Sequence, residues 1–252
     1  MIKFFRKIRQ HLLSKGKTGK YLKYAVGEII LVVIGILIAL QINSWNNKRI
    51  SQKQSIGYMK SLVDDIKSDI IQYNANIESY TTDIANNKSL LINDNYKTLD
   101  ADSILKLVNA FFQPNKITKQ TYEKIKNASL SESLGTDIVN KAINDYYNLE
   151  INYYETLLQW DKDYTTKDYI FWFYNNNFES SSIRGYSSSK LPFLASEEKR
   201  KNALINLIES TQGRNHLRGS IERHQHTIKR VLEVKVVAEN LVEMINNELN
   251  NQ

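Results

Sequence analysis

Three of the chain's four histidines, His216, His224 and His226, lie close enough together in sequence to raise the question of metal-ligand chemistry. On an α-helix their steps of eight and two residues turn by about 80 and 160 degrees, so one ion cannot be reached by all three from that helix, and no metal or other cofactor is expected. Glu222 and His226 share a face, an i,i+4 pairing that is ordinary on a helix surface. The same stretch holds Arg214, Arg218, Arg223, Lys229 and Arg230, opposed only by Glu222. Arg214, Arg218, Arg223 and Arg230 are therefore a candidate patch for an anionic lipid, a polysaccharide or an acidic protein; the alternative is a solvated helix face. A second concentration, Tyr164, Tyr169, Phe171, Trp172, Phe173, Tyr174 and Phe178, has two readings. It lines a cleft or stacks on sugar rings, or it plugs the end of a helical bundle.

The chain has no Gly-rich phosphate loop, no H-E-x-x-H, no G-x-S-x-G and no EF-hand loop. With no cysteine, thiol catalysis, disulfide scaffolding and Cys-ligated metals are ruled out. No catalytic residue is assigned and an enzyme is not expected.

The elements that position these residues begin with charge. The formal net charge of +7 suggests nucleic acid until it is mapped: residues 1–24 hold eight basic residues and no acidic one, and the remaining 228 balance 26 basic against 27 acidic. Directly after this head comes Ala25–Ile42, AVGEIILVVIGILIALQI, whose twelve Ile, Leu and Val residues outweigh one Glu near its edge. Its eighteen residues nearly span a hydrocarbon core. Tyr24 before it and Trp45 after it match interfacial aromatic belts, and the excess of Lys and Arg before the span places the N-terminus in the cytoplasm. A cleaved signal peptide is the competing reading, but no small-x-small site follows the run, where Leu40-Gln41-Ile42 stands. A buried soluble helix is the other, and it leaves the charge asymmetry and the flanking aromatics unexplained.

Inside this segment Glu28, Gly35 and Ala39 fall on one helical face, because steps of seven and eleven residues return to within about 20 degrees. Gly35-x-x-x-Ala39 admits a close second helix, and Glu28 on the same stripe prefers a polar partner to lipid. The alternative is that Glu28 snorkels to the headgroups and Gly35 is incidental. A proton relay would need a second titratable group in the span, and the sequence places none there.

The head MIKFFRKIRQ and the stretch KYLKYAVGEIILVVIGILIALQINSWNN resemble the N-terminal signature of a bacterial family of unknown function. Gln120-Thr-Tyr-Glu-Lys-Ile-Lys-Asn-Ala-Ser129 and Asp145-Tyr-Tyr-Asn148 are a weaker echo of the middle of such proteins. The resemblance implies a basic head, one anchor and about two hundred mostly helical residues, resident in a Gram-negative inner membrane. It implies no activity.

Beyond the anchor, Ile56, Met59, Val63, Ile66, Ile70, Tyr73, Ile77, Tyr80, Ile84 and Leu91 recur in steps of three and four, broken only at Asn87. This predicts a helix of about 35 to 45 residues, reaching roughly 50 to 70 Å. Its flanking positions, Asp69 and Asn76 among them, lack consistent charge complementarity, which favours packing in a bundle over a parallel zipper. A short helix capped at Asp102-Ser103 and running through Phe112, another over Thr118–Ala128, a long one from Asp137 to Asn175 and a final one from Ser196 complete the pattern. The last helix carries the stripe Leu217, Ile221, His224, Ile228, Val231, Lys235, Ala238, Val242, Ile245 and Leu249.

The expected fold is all-α: a single N-terminal transmembrane helix followed by an antiparallel bundle of long helices with coiled-coil-like packing. Residues 1–24 form the cytoplasmic head, 25–43 the membrane helix and 44–252 a periplasmic bundle. The expected function is a structural or adaptor role at the inner membrane, with a periplasmic ligand-sensing domain as the alternative. The membrane and a protein partner or second copy are the expected partners; nucleic acid and a small-molecule ligand are not.

Overall fold

The computed structural model describes residues 18–128, 134–174, 178–180 and 192–251, and every regular element among them is helical. The basic head up to residue 17 and residues 181–191 lie outside the described residues. The chain divides into two units, residues 1–56 and 57–252.

The first unit is the start of helix α1, Thr18–Ile92. Among the described residues one helix is long and apolar enough to cross a membrane, and its apolar side chains from Ile29 to Ile42 are exposed. In water that would leave an apolar surface far larger than a soluble domain tolerates.

The second unit is the bundle. No Gly or Pro interrupts α1 from Tyr58 to Ile92, which explains its persistence there. A 3₁₀ turn, Asn95–Thr98, leads to α2, Ala101–Val108. The cap of α2 is Asp100, which accepts from the Ser103 N–H at 2.9 Å, rather than Asp102. Asp102 accepts instead from Arg200 at 2.6 Å. The helix also stops before the expected Phe112, because Asn109 takes the left-handed conformation at φ 36°, one that asparagine tolerates.

Helix α3, Gln120–Asn127, follows, and then α4, Asp137–Asp145, after Gly135 at φ +80°. The long helix expected from Asp137 is continuous but not regular. A π-turn at Tyr146–Glu150 separates α4 from α5, Ile151–Phe173. It inserts one residue into the repeat, which lets Tyr146 and Tyr147 both be buried and then restores the inward stripe Ile151, Tyr154, Leu158 and Asp161.

The expected final helix is two. In α6, Glu197–Glu209, Ser196 caps as anticipated, accepting from the Lys199 N–H at 3.3 Å. The chain then bends at Ser210, whose backbone is extended. The Ser210 hydroxyl accepts from the Gly213 N–H at 3.0 Å and opens α7, Thr211–Asn250. Gly213 is required here: a Cβ on it would stand 2.0 Å from the carbonyl oxygen of Leu207.

The seam of α1 explains how the bundle packs. Most of its buried residues fall in two heptad columns, Leu62, Asp69, Asn76, Asp83 and Leu90, and Met59, Ile66, Tyr73, Tyr80 and Asn87, with Val63 and Ile84 beside them. Asp69 and Asn76, read from the sequence as flanking, are therefore core residues. The polar members of the seam have partners there: Asp69 accepts from the Thr118 N–H at 3.0 Å, Asn76 accepts from the Gln72 amide at 3.1 Å, and Asn87 donates to the Leu107 and Val108 carbonyls at 3.0 Å each. The bonds of Asn87 and Asp69 satisfy backbone groups at the end of α2 and in the irregular segment that follows it, which would otherwise be left unpaired. An apolar core closes one end, where Leu90, Ile104, Trp172, Phe173, Leu204 and Ile208 meet. Trp172 and Phe173 thus plug the bundle, while Tyr164 and Tyr174 stay exposed.

Candidate functional site

α5 and α7 form the most extensive helix pairing in the bundle. Their seam is built from small or polar side chains, Asp161, Thr165 and Asp168 on α5 and Ser220, Arg223 and Thr227 on α7, which lets the backbones approach. At the centre is Arg223. Its Nε donates to Asp161 at 2.8 Å, and its Nη2 donates to Asp168 at 2.8 Å and to Thr165 at 3.3 Å. Asp161 also accepts from the Tyr80 hydroxyl at 3.0 Å, which ties α1 into the same cluster. His216 Nδ1 lies 2.6 Å from Asp168 Oδ1, and its ring stacks on Phe171 at 4.0 Å between ring centres.

Two buried carboxylates facing one guanidinium leave a negative excess in a low-dielectric interior. Burial pushes the Asp161 carboxyl upward, against the opposing pull of Arg223 and the Tyr80 hydroxyl. Asp83, also deep in the bundle, is pushed up to about 6 by burial, partly opposed by its bond from Asn109. His224 packs on Tyr80 at 4.9 Å, and burial first, then the neighbouring Arg223 charge, push it down to about 3. It is therefore a neutral core residue at ordinary pH.

Above this cluster a groove of about 1190 Å³ opens between α5 and α7. Asp168, His216 and Arg223 reach its floor. One wall presents Tyr153, Trp160 and Tyr164, the other Gln212, Asn215, Glu222, Gln225 and His226, with Gly219 leaving open space between them. Trp160 is 39% exposed and Tyr164 44%, and their ring centres are 5.1 Å apart. Lys167 lies over Tyr164 at 4.5 Å and Arg230 over Tyr153 at 4.4 Å, so cations fix the orientation of both rings.

The histidines are not brought together: His216 lies at the groove floor, His224 in the core, and His226 beside Trp160 at 6.0 Å. No cluster suited to a metal occurs among the described residues. The four arginines part company as well. Arg223 is buried, Arg230 pairs with Glu150 at 2.6 Å, Arg214 reaches the Leu91 carbonyl at 3.4 Å, and Arg218 is exposed. In the first unit Gly35 has open space around it, and Trp45 is exposed with Arg49 near its ring at 6.0 Å. Glu28 and Ala39 lie on the same helix; the side chain of Tyr24 lies outside the described residues. Of the aromatic run read from the sequence as a candidate cleft lining, Tyr164 reaches this groove; its other rings, Tyr153 and Trp160, were not anticipated there. The groove's sequence signal is the aromatic spacing 153, 160, 164 opposite the small or polar spacing 212, 215, 219, 222, each a heptad stripe beside the seam.

Residues 28–165 match the model of a family of unknown function, DUF6090, and since that match covers more than half of the chain, the chain belongs to this family. The match begins at Glu28 and includes α1 from that residue and most of α5; α6 and α7 lie beyond it. No curated protein and no solved structure matches the chain.

Proposed function

We propose that this member of the family is a membrane-tethered adaptor, a binding protein without catalytic chemistry that holds a partner at the membrane through the α5–α7 groove. The observation that carries this reading is the groove and its floor: a large open cleft with exposed rings on a base made rigid by Arg223, Asp161 and Asp168. Exposed aromatic side chains held in fixed orientations are features of recognition surfaces.

His216 and Asp168 have the geometry of a base held by an orienting carboxylate, which raises the enzyme question. A nucleophile would have to stand within reach. Among the described residues the groove lining contains no Ser, and its Thr156 already donates to the Asn152 carbonyl at 2.9 Å. Asp161 and Asp168 are likewise committed to Arg223. These features support binding over turnover.

In this reading residues 1–24 lie in the cytoplasm, residues 25–43 cross the inner membrane, and the bundle stands in the periplasm. The charge asymmetry of the sequence supports the orientation. Glu28, Gly35 and Ala39 form a second contact face for another membrane helix. Ligand sensing is the second reading, favoured by the Tyr80–Asp161 bond, which links the groove floor to α1.

The test is affinity purification from native membranes after mild crosslinking, with wild type beside Trp160→Ala/Tyr164→Ala and Glu28→Leu/Gly35→Leu. A defined partner lost only in the first variant supports the groove as the adaptor face. A partner lost only in the second transfers the role to the membrane helix. Recovery of no specific partner by wild type would overturn the adaptor reading.

A further inference from the structure

The lining of the α5–α7 groove identifies the chemistry of its occupant. A partner helix docks through aliphatic anchors in aliphatic holes. Here the only aliphatic lining residue is Leu157, and it is already almost wholly covered. A nucleic acid would need a phosphate-tracking row of free cations. Of the groove's cations, Arg223 is paired in the floor and Lys167 lies over Tyr164, which leaves Lys229 as a single exposed cation rather than a row, while Glu222 adds opposite charge.

What remains is a row of aromatic rings facing a row of planar polar groups. Tyr153, Trp160 and Tyr164 are spaced along α5, the first two about 10 Å apart along the axis. Across from them the side chains of Gln212, Asn215 and Gln225 are exposed and make no hydrogen bonds among the described residues, so their amides are free to bind. Each amide offers both donors and an acceptor. A pyranose ring has complementary surfaces: an apolar C–H face that lies on an aromatic ring, and a rim of hydroxyls that pairs with amides and carboxylates. The groove is elongated and open rather than closed, which suits a chain of such rings better than a single one.

We propose that the α5–α7 groove binds a linear oligosaccharide, with Trp160 and Tyr164 as stacking platforms and Gln212, Asn215 and Gln225 as hydroxyl partners. The assignment rests on the reading of the groove as a recognition face and names the class of what it recognises. It makes the protein a tether between the membrane and an envelope polysaccharide.

The test is calorimetric titration of the full chain in detergent with soluble β-1,4-linked oligomers of glucose and of N-acetylglucosamine. The expected result is saturable binding to at least one series, weakened ten-fold or more by Trp160→Ala and by Tyr164→Ala, and little changed between 50 and 500 mM salt, with circular dichroism showing both variants folded. Trp160→Phe, which keeps a ring, is expected to retain binding within a few-fold. Absence of saturable binding to either series, or equal binding by Trp160→Ala, would overturn the oligosaccharide assignment. If the native partner is still lost from Trp160→Ala/Tyr164→Ala in membranes while no oligosaccharide binds, only the ligand class falls and the groove remains the adaptor face.

Discussion

Arg223 and Asp161 meet at 2.8 Å with 6% and 1% of their side chains exposed, an ion pair enclosed by three helices. Asp168 shares the same guanidinium and Tyr80 the same carboxylate, so the pair is the point where α1, α5 and α7 are held in register. Such a cluster contributes less net stability than apolar packing of the same volume, because its charges lose their hydration. Its consequence here is positional: it sets the floor of the groove.

Removing the cation alone should therefore be costly. Arg223→Met leaves two buried carboxylates facing each other, and a loss of about 3 to 5 kcal/mol is expected. The triple variant Asp161→Asn/Asp168→Asn/Arg223→Met should recover most of it. Urea unfolding followed by circular dichroism checks both; equal stability of the single variant and wild type would contradict the account.

Asp83 and His224 pull stability in opposite directions with pH. Asp83 is raised from 3.8 to about 6, so its folded form keeps a proton that the unfolded chain has released. Its contribution is present in acid and is lost as pH rises through about 6. His224 is lowered from 6.5 to about 3, so its contribution is present above 6.5 and is lost as pH falls toward 3. Asp83→Asn should gain about 1 to 2 kcal/mol at pH 7.5 and become more acid-sensitive between pH 6 and 4, because only the His224 slope remains. His224→Phe should lose that acid sensitivity. Unfolding midpoints measured across this range decide the matter, and parallel pH profiles for both variants would refute it.

Two glycines on α7 should respond oppositely to alanine. At Gly213 the new methyl would meet the Leu207 carbonyl oxygen, forcing open the corner between α6 and α7 at a cost of about 2 to 3 kcal/mol. At Gly219 there is open space, and a helical Gly→Ala change should gain about 0.5 to 1 kcal/mol. Thermal melts of the two variants test this difference in sign.

The absence of cysteine makes topology directly measurable. With the outer membrane permeabilised, a membrane-impermeant maleimide is expected to label Ser68→Cys in intact cells and Ser14→Cys only after lysis. The reverse pattern would invert the orientation.

These variants also mark what the sequence made legible. The apolar run and the heptad steps of α1 were readable because each repeats one simple pattern over many residues. The polar half of that seam was not. Asp69, Asn76 and Asp83 stand seven residues apart, but their polarity argues for solvent, and the two aspartates are explained only once the irregular segment carrying Asn109 and Thr118 is known to need them. Arg223 was misplaced on a basic surface for the same reason: its partners, Asp161 and Asp168, are more than fifty residues away in sequence. The break at Ser210 lay hidden inside an unbroken helical period, although a serine three residues before a glycine could have signalled it. The groove needed two helices at known separation, which no single periodicity supplies.

The central claim, that the α5–α7 groove is occupied at the membrane, is tested most directly by labelling it in place. Gly219→Cys puts a thiol in the open centre of the groove, and Ser68→Cys puts one on the exposed face of α1. The account predicts that Gly219→Cys reacts at least ten-fold more slowly with maleimide in native membranes than after purification, while Ser68→Cys reacts at the same rate in both. Equal rates for Gly219→Cys before and after purification would contradict it.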